Sequence, residues 1–213
     1  MKTIVSLLIF ISLCCSCQEK KKSNETKPDE HIINQASMNK DADESTPIAK
    51  EIFTATGKSF KVEETKQSAS LSRLTITAQG FTNTQEVFEI KDTDPLSQIF
   101  TLDLNKDGFE ELYLITKSTG SGSYEQVMGF ASNNDLSVTP VYVPEMTEKD
   151  LEAKGDFEGY MGHDSIYVAD KQLYRKFPVY LEGDANCCPT GGNTTLSYQL
   201  RAGEAGWILE TIK

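Results

Sequence analysis

The chain has 213 residues, a formal net charge of −11, and hydrophobic and aromatic contents of 38% and 9%. That is enough apolar material for one domain of ordinary size, and it excludes a chain disordered throughout. The acidic balance excludes a nucleic-acid partner, because no basic stripe exists to neutralise phosphates; it suits a basic partner or simply a soluble surface.

The N-terminus begins Met1-Lys2, and residues 4–13 form an apolar run too short to span a bilayer as a finished helix. Cys14-Cys15-Ser16-Cys17 follows at once, and then the polar stretch 18–22. This arrangement resembles a bacterial lipoprotein signal, cut before a cysteine that carries lipid. The resemblance implies removal of residues 1–16 and lipid attachment at Cys17, with Ser16 as the small residue before the cut. Cys14 stands where a leucine is usual, and Cys15 is the alternative site. The implied location is a membrane of the cell envelope, facing an oxidising space. Residues 17–49 are rich in Lys, Ser, Asn, Asp and Glu and have no period of two or 3.6, as expected of a solvated tether.

From about residue 50 to 213 short apolar runs alternate with turn residues, which reads as one domain. Strand segments are expected at 60–64, 72–78, 86–91, 98–103, 111–116, 125–130 and 136–143, the last an edge strand because it contains Pro140. Residues 147–154 predict a helix of about two turns, with Thr147 as N-cap and a stop at Gly155. Strands resume at 165–169, 173–180, 194–200 and 206–211, and 203–206 forms the loop of a final hairpin. The expected fold is all-β, an antiparallel β-sandwich of about eight strands with one short helix.

Five cysteines are present, three of them in the signal, leaving Cys187 and Cys188 for the domain. They form a vicinal disulfide, stay reduced and buried, or bridge to another chain. The absence of a CxxC spacing argues against zinc and thioredoxin-like chemistry. Residues 186–192, Asn-Cys-Cys-Pro-Thr-Gly-Gly, read as a sharp corner or as a second contact loop.

Asp103, Asn105, Asp107, Gly108 and Glu111 have the oxygen spacing of a calcium loop, although position twelve of such a loop is Leu114 and a strand follows rather than a helix. The alternative is a tight connection in which Asp and Asn cap their own backbone. No catalytic set emerges: His163 is the domain's histidine, with Asp164 beside it, and no nucleophile elbow accompanies them. His163 therefore reads as a surface or hairpin-end residue, and the protein as a non-enzyme without a required cofactor.

Residues 116–125, Thr-Lys-Ser-Thr-Gly-Ser-Gly-Ser-Tyr-Glu, run a strand into a small-residue tip that ends in Tyr124. Taken in order, the Asp-Leu-Asn-x-Asp-Gly-x-x-Glu turn, Ser-Gly-x-Tyr, Pro-Thr-Gly-Gly, Tyr-x-Leu and a C-terminal Trp resemble one family, the periplasmic inhibitors of invertebrate-type lysozyme. The resemblance runs from about residue 95 to 213. It implies a β-sandwich of a Gram-negative envelope whose loop, here Ser121, Gly122, Ser123 and Tyr124, enters the lysozyme cleft and blocks its carboxylates. It does not account for Cys187-Cys188 or for the tether. The other functional reading is a calcium-stabilised surface-lipoprotein module that binds a glycan or another protein.

Overall fold

A computed structural model describes residues 47–83 and 86–212. The signal, Cys17 and the tether up to residue 46 lie outside the described residues. Among the described residues no helix is long and apolar enough to cross a membrane.

Three four-stranded antiparallel sheets make up the fold. The first holds β1 (Ile48–Phe53), β2 (Ser59–Lys66), β3 (Ser72–Gln79) and β4 (Val87–Thr93) in chain order. The second holds β5 (Leu96–Leu102), β6 (Glu111–Lys117), β7 (Glu125–Asn133) and β8 (Ser137–Val141), also in chain order. The third runs β12 (Gly206–Ile212), β11 (Asn193–Gly203), β10 (Gln172–Pro178), β9 (Ser165–Ala169). Consecutive strands pair with their neighbours, so each sheet is a meander of hairpins, which needs only short connections.

The middle sheet is covered on both faces. Along β6 the side chains alternate: Tyr113 and Ile115 join a core with Ile166, Leu173, Tyr198, Leu200 and Leu209 of the third sheet. Leu112 and Leu114 join the opposite core with Phe60, Val62, Leu74 and Ile76 of the first sheet. Burial on both faces explains why residues 112–115 are continuously apolar instead of alternating. The second and third sheets also touch at their edges. Tyr142, just past β8, donates its N–H to Trp207 O and accepts from Leu209 N–H, both at 2.9 Å.

The all-β antiparallel class is as expected, and β5 to β12 supply the eight strands of a sandwich around one core. The described residues hold twelve strands, because β1 joins the strands expected at 60–64, 72–78 and 86–91 in a third layer. β1 was not expected: Ile48-Ala-Lys-Glu-Ile-Phe is almost wholly exposed and carries little inside-outside pattern. Pro140 does lie on an edge strand, β8, and 203–206 does close the last hairpin.

The helix α1 is shorter than expected, Glu148–Leu151. Its start is as read: the Asp150 carboxylate accepts from the Thr147 N–H at 2.8 Å and hydroxyl at 2.7 Å. None of its residues is buried, so no packed face stabilises a second turn, and the chain turns extended at Glu152.

Candidate functional site

Residues 118–124 close the β6–β7 hairpin, whose last pair is Lys117 with Glu125. Ser118 N–H donates to Tyr124 O at 2.8 Å, and Ser123 N–H to Gly120 O at 3.0 Å, so a tight turn sits inside a wider loop. Ser123 closes that turn in the left-handed region, φ 42°. Ser121 is exposed, Gly122 and Ser123 are half-buried, and Tyr124 is 42% exposed.

The tip is more firmly held than a bare Gly/Ser hairpin. Gly122 O accepts the N–H of His163, a residue itself at φ 54°. Asn186 Nδ2 lies 3.5 Å from Ser121 O, and Asn186 Oδ1 lies 3.4 Å from His163 Nε2. The Tyr124 ring folds over two glycines. A Cβ on Gly122 would stand 2.3 Å from that ring, and one on Gly162 would stand 2.2 Å from Gly122 O. Gly162 also has φ +87°, so the close approach and the backbone both require glycine there. Tyr160 meets Tyr124 edge to face at 5.8 Å.

Beneath the tip lies a buried charged cluster. Glu125, Asp164 and Arg175 are all less than 7% exposed. Asp164 Oδ1 accepts the Glu125 N–H at 2.9 Å, and Asp164 Oδ2 accepts the Tyr160 hydroxyl at 3.0 Å. Glu125 Oε1 pairs with Lys117 Nζ at 2.9 Å, and Oε2 accepts the Ile166 N–H at 2.6 Å. Arg175 Nη2 donates to Glu125 O at 2.8 Å, and Arg175 Nε faces Asp164 Oδ2 at 3.5 Å. The guanidinium also lies over the rings of Phe157 and Tyr160, 5.8 and 5.9 Å from their centroids. Burial, first among the causes, pushes the Tyr160 hydroxyl well above its usual range, so it remains a donor. This cluster ties the root of the hairpin to the third sheet.

Cys187 and Cys188 are bonded to one another, which selects the vicinal disulfide among the three expectations. Their loop lies beside the tip, and the Tyr180 hydroxyl donates to Asn186 O at 2.7 Å. Asp184 binds the loop's two ends. It accepts the N–H of Leu181 and of Thr190, each at 2.8 Å, and these donors, Leu181 first, hold its carboxyl below the usual range.

At the other end of β6 the acidic turn is built from its own side chains. Asp103 accepts from the N–H groups of Asp107 and Gly108 at 3.1 and 3.0 Å, Asn105 Oδ1 from Asp107 N–H at 2.9 Å, and Asp107 from Phe109 N–H at 2.9 Å. Glu111, fully buried, accepts from Leu104 N–H at 2.9 Å and from the Tyr113 hydroxyl at 3.3 Å. Burial, with the charges of Asp107 and Asp103, pushes its carboxyl up to about 8.

A groove of about 1130 Å³ is lined by Phe88, Ile90, Met128, Tyr142 and Met146 among others, and it takes no residue from 118–124. The tip is thus not a wall of that groove.

Sequence reasoning brought out Ser121, Gly122, Ser123 and Tyr124, and the structure gathers them on one turn. His163, expected as a surface or hairpin-end residue, is half-buried and positions the tip through its backbone N–H, and Arg175, whose charge sits under the tip, was not singled out. Arg175 shares a strand face with Leu173 and Phe177, both fully buried, and that was a readable signal.

No family model matches the chain, and no curated protein matches it. Among solved structures it is similar to PliI of Aeromonas hydrophila in complex with Meretrix lusoria lysozyme, with 20% identity and a TM-score of 0.35 over 44% of this chain and 80% of that one.

Proposed function

We propose that this protein inhibits a lysozyme by seating the Ser121–Tyr124 turn in the enzyme's cleft. A lipid on Cys17 tethers it to a membrane of the bacterial envelope, where it protects peptidoglycan. The observation that carries this reading is the tip itself: Ser121 and Tyr124 face solvent while His163, Asn186 and Gly162 fix the backbone behind them. A turn already held in one shape loses little conformational freedom on docking, which favours tight binding.

The chemistry suits such a cleft. Glycosidases of this kind use a pair of carboxyl groups flanking the scissile bond. Hydroxyls of Ser121 and Tyr124 donate to ionised carboxylates as short, charge-assisted hydrogen bonds. The tyrosine ring offers an apolar face of about the size a sugar ring leaves. The net charge of −11 speeds encounter with a positively charged partner.

The test is a panel of invertebrate, chicken and goose lysozymes assayed with the purified full chain. Inhibition of at least one type, lost in Tyr124→Ala with a nearly unchanged melting temperature, supports the proposal. Full activity of every lysozyme at micromolar protein removes it.

A further inference from the structure

We infer that the turn leading into β6 is a calcium site formed by Asp103, Asn105, Asp107 and Glu111. Acidic turns on a protein surface are common, and hydrogen bonds within the turn explain most of this one without an ion. One atom is left over. Glu111 is fully buried, its Oε2 is held by Leu104 N–H and the Tyr113 hydroxyl, and its Oε1 has no hydrogen-bond partner. A buried carboxyl oxygen without a hydrogen-bond partner is rare in folded proteins, because burial removes its water and nothing replaces it.

Its surroundings supply negative charge instead of a donor. One carboxyl oxygen from each of Asp103, Asp107 and Glu111 lies within 4.8 Å of the other two. Oxygens on opposite sides of a calcium ion, each about 2.3–2.6 Å from it, stand about 4.6–5.2 Å apart. The three carboxylates therefore fit around one ion. Asn105 Oδ1 points into the same turn, toward the Asp107 N–H. The N–H groups of residues 107, 108 and 109 orient the Asp103 and Asp107 oxygens before any ion arrives. Gly108, at φ +92°, makes the bend that lets Glu111 return to the oxygens of Asp103.

Calcium is the hard cation this set fits. It accepts several carboxylates and a flexible shell, whereas magnesium holds its waters and takes one or two carboxylates. No cysteine or imidazole is present among these four residues, which disfavours zinc. The ion would bind the turn to the first residue of β6, a structural role separate from the tip.

The experiment is calorimetric titration of calcium chloride into chelator-treated full chain, with thermal melts in calcium, magnesium and chelator. The expected result is one ion per chain with a dissociation constant on the order of 10⁻⁵ to 10⁻³ M, and a melting temperature raised by calcium more than by magnesium. Asp107→Asn, an exposed change that leaves the core intact, weakens calcium binding about tenfold or more. Glu111→Gln also loses the calcium-dependent rise in melting temperature. Absence of both heat and a melting shift in the unmodified chain overturns the inference. So does an Asp107→Asn chain that keeps the full calcium response.

Discussion

The two ends of β6 are fixed by different means. At its start, the turn 103–111 is held by side chains from the same nine residues. At its end, the tip 118–124 is held by His163, Asn186, Gly162, Asp164 and Arg175, which arrive from 39 to 65 positions away in the cases of Asp164 and Asn186. A locally built turn carries its conformation with it. A remotely supported one has its own two backbone hydrogen bonds but takes its position from His163 and Asn186, so its placement depends on the wider fold.

Removing the remote support should therefore have the largest effect. Arg175→Ala leaves Asp164 buried without its cation and the Glu125 carbonyl without its donor, and urea unfolding should show a loss of about 3–5 kcal/mol. The matching local change, Asn105→Ala at a half-exposed position, should cost no more than about 1 kcal/mol in calcium-free buffer. Equal losses would erase the contrast.

Gly162→Ala comes next. Its Cβ meets Gly122 O at 2.2 Å in a backbone region that disfavours side chains, so a loss of about 1–3 kcal/mol is expected in the same assay. Lysozyme inhibition should fall with it, because the tip must move. Ser123→Gly should act in the opposite sense. Relieving a left-handed serine raises stability by about 1 kcal/mol, and a lowered melting temperature would show that the serine side chain contributes there.

The smallest effect concerns the loop beside the tip. Asp184 is depressed in the folded state, so what it contributes is present above the ordinary aspartate value and lost as pH falls through its lower folded value. Amide resonances of Leu181 and Thr190 should titrate together below about pH 3.9, and Asp184→Asn should abolish that transition.

The same contrast explains what could be read from residue order. Asp103-x-Asn105-x-Asp107-Gly108 announces its turn because the donors to its Asp and Asn oxygens come from residues 107–109. The alternation of 72–78 likewise announces β3. At the tip, Gly120 to Tyr124 shows a hairpin, but nothing in those residues reveals that the Gly122 carbonyl will meet His163. His163 shows no imidazole chemistry in the sequence, and its contribution is a backbone N–H. In the first sheet β2, β3 and β4 were legible at 60–64, 72–78 and 86–91, but β1 is exposed along most of its length and gives no pattern, although it pairs with β2 over six residues. Helix α1 shows the converse. Its cap was legible, yet its length depended on a packing partner that its sequence does not describe.

β6 faces water on neither side, and that limits how this protein can vary. A single inserted residue within Glu111–Lys117 would exchange the places of Tyr113 and Ile115 with those of Leu112 and Leu114, sending each pair into the wrong core. An insertion at the exposed residues 119–121 would disturb neither core. The reach of the tip is therefore free to drift among descendants of this chain, while its bearing is inherited from a strand that tolerates no change in length.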